Sequence, residues 1–423
     1  MPRGMEDHDR EIDVESLNER GEGVCGGVAV PYALPGERVL AEIAGQRGAL
    51  RVVRAASPER ATPFCAHFGV CGGCATQHMG EALYRRWKRD GLVAALDRAG
   101  IEAKVAALVD AHGEGRRRVT LHVRYPHGAA PELGFMRARS HDIVAIDACP
   151  VLAPGLRGAL ACAAAVAQDL RGLGKPLDIQ LTATLTGLDV DIRGAGPLGA
   201  PEMRKLAASA ERLDVARIAN HGAVVVERRA PELAVGLARL TPPPGGFLQA
   251  TEAGEAKLAA LAQAALRGSR AVADLHCGAG AFALRLAEAH DVHAVDVEGA
   301  ALDALRRAAR GAPSLRGITT EARDLAARPL LAGELGRFDA VLFDPPRAGA
   351  QAQARELAAS KLPLVAAISC DAESFSRDAR ILVDGGFAIG EVTPIDQFRH
   401  SPHVEIFAAF SRRAARKARR IFG

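Results

Sequence analysis

The sequence lacks the long apolar segments that membrane insertion and secretion require. No uninterrupted apolar stretch approaches the roughly 20 residues of a membrane-spanning helix. The first thirteen residues, MPRGMEDHDREID, are acidic and contain no apolar core of the kind that a signal peptide has. These absences argue against a membrane or secreted protein. We therefore expect a cytoplasmic protein without a membrane partner.

A strong excess of basic charge is also missing. The 423 residues carry a formal net charge of +4, too small for binding nucleic acid by charge alone. Lysine is scarce, with 7 residues among the 54 basic ones, and the arginines that replace it suit phosphate contacts. The three arginines 116–118 and the basic C-terminal sequence SRRAARKARRIFG are each typical of an RNA contact or of a solvated surface.

Eight cysteines occur in the chain, and disulfides are not expected in a reducing compartment. Cys65, Cys71 and Cys74 have the spacing C-x5-C-x2-C, which indicates a soft metal or an iron–sulfur cluster. Cys149 follows an apolar strand and precedes a proline, which makes it the best candidate for a fourth ligand. A four-cysteine zinc site is the alternative. Cys162 lies in an alanine-rich helix and is predicted to be a packing residue.

Three segments of different character divide the chain. Residues 11–57 read as short strands with Gly and Pro turns, which predicts a small β-barrel over residues 1–58. An α+β central domain is predicted for residues 59–240. The sequence TPPPGG then predicts a linker into a third domain, residues 241–423, because three prolines interrupt regular structure.

The third domain has the pattern of a nucleotide-like cofactor site. In AVADLHCGAGAFALRLAEA a strand, a glycine-rich turn and a helix are predicted, and Gly278 and Gly280 permit close approach of the backbone to a ligand. The next strands end on Asp296, Asp324 and Asp344, and an acid about twenty residues after the turn can bind both ribose hydroxyls. This order predicts a Rossmann-like S-adenosylmethionine methyltransferase domain. NAD binding is the alternative, which the DPPR sequence disfavours.

A thiol and two acids stand at predicted strand ends in this domain. Asp344 follows the apolar run of FDAVLFDPP, and Cys370 follows that of LVAAISCD. Ligands bind beyond the carboxyl ends of such strands, so the pair suggests a reaction centre, although a cysteine there is often a buried small hydrophobe. Glu405 begins the last predicted strand in HSPHVEIFAAF, where His400 and His403 are rival candidates for a base.

The order of these motifs resembles the RNA uracil-5-methyltransferase family, specifically its iron–sulfur branch that modifies bacterial 23S ribosomal RNA. The likeness is carried by CAHFGVCGGCATQH, GFMRARSHDIVAIDACPVL, FLQAT, DLHCGAGAF, FDPPRAGA, ISCDAESFSRD and HSPHVEIFAAFSR. The sequences GEGV, YALPGERV and SPER resemble a TRAM domain, a small RNA-binding β-barrel. The resemblance therefore implies three domains, RNA as the partner and S-adenosylmethionine as the methyl donor.

The resemblance also implies roles for single residues. Cys370 is expected to be the nucleophile and Glu405 the base, with Asp344 and Arg347 beside the uracil edge. Cys65, Cys71, Cys74 and Cys149 are expected to hold a 4Fe–4S cluster. The residues expected in or beside the cofactor site are Gln249, Asp274, His276, Gly278, Gly280, Asp296, Asp324 and Asp344.

The chain departs from the family pattern at a few positions. It has Thr251 and Ala281 where the family usually has Asn, and Thr251 can still cap a helix. It has Ser-Cys-Asp-Ala in place of SCNP, and losing the proline is expected to loosen the turn behind Cys370. A monomer acting on 23S ribosomal RNA is expected. Transfer RNA as the substrate and a non-catalytic iron–sulfur RNA-binding protein are the alternatives.

Overall fold

The computed structural model describes residues 8–412, and it begins with a sheet of short strands. The strands are β1 (His8–Asp13), β2 (Ser16–Leu17), β3 (Gly23–Cys25), β4 (Val28–Val30), β5 (Arg38–Ala44) and β6 (Arg47–Ala55). They form one six-stranded sheet in the order β1-β5-β6-β4-β3-β2. Short strands were predicted here and are present, whereas closure into a barrel stays a prediction. The predicted basic tail beyond Arg412 lies outside the described residues.

A second sheet makes up most of the central segment. The next elements are α1 (Glu81–Arg98), β7 (Val109–Asp110), β8 (Arg118–Arg124), β9 (Glu132–Met136), β10 (Ile143–Ala145), α2 (Ala159–Asp169), β11 (Leu177–Thr184), β12 (Gly187–Arg193), α3 (Ala200–Arg212), β13 (Arg217–Asn220), β14 (Ala223–Glu227), β15 (Leu233–Val235) and β16 (Ala238–Leu240). The sheet has the order β10-β9-β8-β11-β12-β13-β14, and α2 and α3 cover one face. Cys162 lies on α2 and is buried in the core between α2 and the sheet, as predicted for a packing residue.

The third sheet is mainly parallel. Its strands and the helices between them are α4 (Glu252–Ala265), β17 (Ala271–Leu275), α5 (Ala283–Leu286), β18 (Asp291–Asp296), α6 (Gly299–Arg310), β19 (Ile318–Ala322), α7 (Ala332–Leu335), β20 (Ala340–Phe343), α8 (Gln351–Ala359), β21 (Leu364–Ser369), α9 (Ala372–Asp384), β22 (Ala388–Ile389), β23 (Thr393–Asp396) and β24 (Glu405–Ser411). The order is β19-β18-β17-β20-β21-β24-β23-β7, with β22 also paired to β24. The strand order reverses between β17 and β20, where open α/β sheets bind ligands.

Alternating side chains bury both faces of this third sheet. Leu275, Phe343 and Phe410 face a core shared with α1, α8 and α9, whereas Val272 and Leu342 face a core shared with α4 and α6. Continuous apolar strands of this kind are typical of a parallel sheet covered by helices on both sides. Within residues 8–412, no helix has the length and apolar character needed to cross a membrane.

Two pieces of the predicted central segment pack with the third sheet instead of the second. Strand β7 pairs in parallel with β23, and α1 packs against α9. The hairpin β15–β16 places Val235 and Leu240 in the core under α6. The hairpin thus contributes to a core of the third sheet although it precedes residue 241, and the domain boundary itself stays a prediction. Sequence pattern shows that a helix has an apolar face, but not which sheet covers that face.

Candidate active site

The glycine-rich turn after β17 has a conformation that only a few residue types tolerate. His276, Gly278 and Gly280 all have positive φ, at 64°, 53° and 95°. A Cβ on Gly280 would collide with Leu305 of α6, whereas a Cβ on Gly278 would meet no atom within 4 Å. Gly280 therefore lets the turn pack on α6. Gly278 leaves backbone open to a ligand at the carboxyl end of the sheet.

Two of the predicted acids hold turns at this end of the sheet. Asp296 accepts hydrogen bonds from the backbone N–H of Gly278 at 2.8 Å and of Glu298 at 2.9 Å. Asp324 accepts from the backbone N–H of Ala326 at 2.9 Å. Asp296 thus touches the glycine turn directly, which fits its predicted place beside a cofactor.

Buried polar atoms without protein partners lie beside the same turn. Asp274 is fully buried, and neither of its carboxyl oxygens, nor Nε2 of His276, has a hydrogen-bond partner among the described residues. Burial raises the pKa of Asp274 to about 8, and the neighbouring Asp296 contributes to this increase. Burial lowers the pKa of His276. Buried polar groups normally have hydrogen-bond partners, so the unsatisfied atoms of Asp274 and His276 fit a site where a polar ligand supplies the missing hydrogen bonds.

Cys370 follows β21, as predicted, and it is half-buried. Burial raises the pKa of its thiol to about 11, and the nearby Glu405 and Asp344 add to the effect. The turn behind it is held by Asp371, whose side chain accepts from the backbone N–H of Ser374 at 3.0 Å and caps α9. This N-cap supplies a restraint at the position where the family proline is missing.

Glu405 is buried, with 3% of its surface exposed, because β24 runs antiparallel between β21 and β23. Burial raises the pKa of its carboxyl to about 7. Asp344, half-buried at the end of β20, has a pKa well above its usual range, caused first by burial and then by Glu405 and Asp274. The rival His400 has a pKa lowered to about 4 by burial, and burial also lowers the pKa of His403.

Gln397 links these groups, a role that no sequence motif predicts. Its Nε2 donates to Oε1 of Gln249 at 2.6 Å and to Oε1 of Glu405 at 2.9 Å, while Nε2 of Gln249 lies 3.5 Å from Oδ2 of Asp344. The backbone N–H of Thr251 lies 3.4 Å from Oε1 of Gln397. The predicted cofactor glutamine and the predicted base therefore belong to one buried hydrogen-bond network.

Arginines from the second sheet support the segment that carries Gln249. Arg117 is buried, donates to the carbonyl of Gln249 at 3.0 Å and forms an ion pair with Glu255 of α4. Arg118 donates to the carbonyl of Gly246 at 2.8 Å. The expectation of a solvated or RNA-binding face is therefore wrong for Arg117, because its guanidinium is enclosed by α4 and the linker.

Helix α1 anchors the loop before Glu405. Nζ of Lys88 is buried and donates to Asp396 at 2.5 Å and to the carbonyl of His403 at 2.7 Å. The hydroxyl of Tyr84 donates to Asp396 at 2.6 Å. These contacts fix both ends of the loop between β23 and β24.

A large cleft of about 1820 Å³ opens on Cys370. Its walls come from the N-terminal sheet, the cysteine-rich loop, α1 and the segments after β20 and β21. The arginines that line it are Arg20, Arg86, Arg98, Arg137, Arg139 and Arg347. Arg347 also forms an ion pair with Asp371, at 3.5 Å. Carboxylates line the cleft too, and Arg86, Arg98, Arg139 and Arg347 are ion-paired. The cleft is wide enough for a polyanion, and its guanidinium groups can contact phosphates.

The four predicted metal ligands line one smaller cavity of about 220 Å³. Burial raises the pKa of Cys71 and Cys74, and it raises that of Cys149 to about 11. Gln77 accepts a hydrogen bond from the backbone N–H of Cys65 at 3.2 Å. Among the described residues, no three His, Cys, Asp or Glu side chains are grouped as ligands of a metal ion. The donor set is nevertheless all sulfur, which suits a soft metal or a cluster.

The fold and the site together define a class of protein. The structure of the Pyrococcus abyssi tRNA (uracil-54, C5)-methyltransferase in complex with S-adenosyl-L-homocysteine is similar over 95% of this chain and 99% of that chain, with a TM-score of 0.72 and 23% identity. This chain therefore has the mixed α/β fold of the S-adenosylmethionine methyltransferases.

Sequence relatives narrow the class to a family, although no family model matches. An uncharacterized RNA methyltransferase of Caulobacter vibrioides is 41% identical over 95% of this chain and 100% of its own length. A relative in Brucella suis with the same description is 43% identical over 95% of this chain and 98% of its own. The 23S rRNA (uracil(1939)-C(5))-methyltransferase of Chromohalobacter salexigens is 34% identical over 95% of this chain and 89% of its own length. This chain belongs to the RNA methyltransferase family.

Proposed function

We propose that this protein methylates C5 of a uridine in 23S ribosomal RNA, with Cys370 as nucleophile and Glu405 as base. The observation that carries the proposal is that Cys370 lines the arginine-lined cleft directly after β21, with the buried Glu405 close enough to raise the pKa of its thiol. The relative in Chromohalobacter salexigens is named as a methyltransferase of uracil C5 in 23S ribosomal RNA. The site of action would be the cytoplasm, and a monomer contains all the residues invoked.

Cys370 activates a carbon that is otherwise a poor nucleophile. Its thiol gives a proton to water, which the thiolate takes back once it is released at the end of the reaction. The thiolate adds to C6 of the uracil, which leaves C5 as the carbon of an enolate. Because the pKa of Cys370 is about 11, the free thiol is neutral at neutral pH. The target base leaves its RNA stack to reach Cys370.

Glu405 completes the reaction by taking a proton from C5. S-adenosylmethionine, when bound, supplies the electrophilic methyl group. After C5 carries the methyl, the Glu405 carboxylate removes the C5 proton, and the C6–sulfur bond breaks to release Cys370 as a thiolate. Asp344 and Arg347 hold the uracil edge during these steps. The net change is one methyl gained by the base and one proton released.

The chain's own residues also account for the donor site and the cysteine cavity. Gln249, His276, the turn at Gly278 and Gly280, and the acids Asp274, Asp296 and Asp324 would surround the donor. Cys65, Cys71, Cys74 and Cys149 would hold a 4Fe–4S cluster, which would cross-link the cysteine-rich loop to the second sheet. No redox step is needed. The N-terminal sheet, proposed to be a TRAM domain, would contact RNA along the cleft.

The test of this function uses RNA that carries 5-fluorouridine. Fluorine at C5 leaves no proton for Glu405 to remove, so the wild-type protein should remain covalently attached after methyl transfer. Cys370→Ala should form neither the adduct nor the product. Cys277→Ala is the matched control, because Cys277 lies buried in the glycine turn. An adduct that persists in Cys370→Ala and disappears in Cys277→Ala would assign the nucleophile to Cys277.

Transfer RNA is the second candidate substrate, favoured by the fold shared with a tRNA (uracil-54, C5)-methyltransferase. Mapping of 5-methyluridine in both RNAs, from a strain without this gene, distinguishes the two. Loss of the modification in 23S ribosomal RNA supports the proposal, and loss in transfer RNA alone replaces it.

A further inference from the structure

A single buried side chain joins the proposed base to the proposed donor site. Gln397 has no exposed surface, and its amide touches three other groups. Its Nε2 donates to Glu405 at 2.9 Å and to Gln249 at 2.6 Å, and its Oε1 faces the backbone N–H of Thr251 at 3.4 Å. The two hydrogens of the amide thus have one acceptor each. No other single side chain in the described part of the chain bridges Glu405 and Gln249.

The direction of these hydrogen bonds is set by their partners. A backbone N–H only donates, so the atom of Gln397 that faces Thr251 is the carbonyl oxygen. The amide nitrogen then points to Glu405 and Gln249. Because Oε1 of Gln249 is the acceptor, its Nε2 is turned toward Asp344, at 3.5 Å. Oε2 of Glu405 has no hydrogen bond from any residue in 8–412, so it is left for a proton of the substrate.

We propose that Gln397 is a positioning residue that orients the base Glu405 and the donor-site residue Gln249 together. It acts through these two side chains and does not touch the reacting atoms. The inference rests on the proposed function. The family resemblance assigns no role to Gln397. The link that Gln397 makes between Glu405 and Gln249 is therefore an addition to the roles inferred from the family motifs.

The charged and titratable groups around Glu405 explain why a neutral donor suits this position. Glu405 adds to the raised pKa values of Asp344 and Cys370, and Asp344 adds to that of Cys370, whereas Asp396, at the end of β23, is paired with Lys88. A neutral amide favours the carboxylate form of Glu405 without adding charge to this group. A hydrogen bond to a charged group is worth about tenfold to a hundredfold in an equilibrium or a rate.

The experiment compares two substitutions of buried glutamines. Gln397→Met keeps the length and removes every polar contact. Gln353→Met is the control: Gln353 is equally buried and bonds Leu330 twice, at 2.8 and 3.0 Å, but lies on α8 away from the network. The measurements are S-adenosylhomocysteine affinity by titration, the rate of release of 5-methyluridine RNA from the covalent complex, and thermal stability. A second variant, Gln397→Glu, preserves the shape if Gln397→Met folds poorly.

The expected result is a pattern that lost packing alone does not produce. In Gln397→Met, release should slow about tenfold to a hundredfold and donor affinity should fall about threefold to tenfold. Gln397→Glu should slow release further, since it places a second carboxylate beside Glu405. Gln353→Met should lose stability only. If Gln397→Met matches Gln353→Met in affinity and release, the inference is wrong. A wild-type protein that makes no 5-methyluridine would refute the proposed function instead, and the donor affinity of Gln397→Met would still test the coupling.

Discussion

Three carboxyl groups with raised pKa values lie near the carboxyl end of the parallel sheet, and two of them, Asp344 and Glu405, lie beside the thiol of Cys370. Burial raises the pKa of Asp274 to about 8 and of Glu405 to about 7, and Asp344 is raised by burial and by both neighbours. Removing several acids from water is costly in any fold. Such clusters occur where chemistry needs groups that change their protonation state near neutral pH.

The pKa of Glu405 predicts how product release depends on pH. Only the carboxylate accepts the C5 proton, so the competent fraction grows as pH rises toward 7 and is nearly complete above it. We expect the release rate to rise about tenfold per pH unit below 7 and to level off above it. Single-turnover release measured across this range checks the prediction. A flat profile in the wild-type protein would contradict it.

Glu405→Gln should stop the reaction after methyl transfer. The amide oxygen can still accept the hydrogen bond from Gln397, so the site keeps its shape, but an amide cannot take the C5 proton. A methylated covalent complex with ordinary uridine RNA should then accumulate on a denaturing gel. The control is His403→Ala, which should still turn over, if more slowly. Free 5-methyluridine RNA released by Glu405→Gln at the normal rate would rule Glu405 out as the base.

At the scale of elements, the two glycines in the turn between β17 and α5 have different roles. Gly280 is needed for packing, because any side chain there meets Leu305 of α6, while Gly278 faces open space. Both residues have positive φ, so each substitution also carries backbone strain of about 1 kcal/mol.

Gly280→Ala should therefore lower the free energy of unfolding by about 2–4 kcal/mol, the strain plus the cost of overpacking. Gly278→Ala should cost only about 1 kcal/mol, but it should weaken S-adenosylhomocysteine binding because its methyl group enters the space where a ligand approaches. Urea unfolding and ligand titration of both variants measure the two effects. Equal losses of stability in the two variants would show that α6 yields to the added methyl group.

At the scale of the whole molecule, the cleft exists only because segments distant in the sequence meet. Leu17–Glu22 of the N-terminal sheet, Cys74 of the cysteine-rich loop and Cys370 all line it, and Arg139 forms an ion pair with Glu22 across the segments. Cys74 also lines the smaller cysteine cavity. Occupation of that cavity would therefore stiffen one wall of the cleft beside the proposed nucleophile.

The proposed cluster makes a prediction for the purified protein. Prepared without oxygen, it should be brown and contain about four irons per chain. Cys65→Ser, Cys71→Ser, Cys74→Ser and Cys149→Ser should each lose iron, while Cys25→Ser, in the N-terminal sheet, should keep it. Iron analysis and the visible absorption spectrum measure the difference. Colourless protein with one zinc per chain would replace the cluster by the four-cysteine zinc site.

The sequence alone determined the features that depend on neighbours in the chain. Apolar runs ending on polar residues placed Asp344 and Cys370 at strand ends, and Thr251 caps α4 as predicted. The spacing of Cys65, Cys71 and Cys74, together with the strand and proline around Cys149, selected four residues that line one cavity. Each of these follows from local periodicity and from residues that end a strand or begin a helix.

Only the tertiary structure decided which distant groups meet. Gln397 and Gln249 are 148 residues apart, and Tyr84 and Asp396 are 312 apart, yet both pairs are hydrogen-bonded. The burial of Glu405 depends on β24 entering the sheet between β21 and β23, which no pattern inside HSPHVEIFAAF specifies. Helix α1 likewise packs against the third sheet although it precedes the second in the chain. The physical reason is that periodicity shows which face of a segment is apolar, whereas pairing and packing depend on the shape of partners elsewhere in the chain.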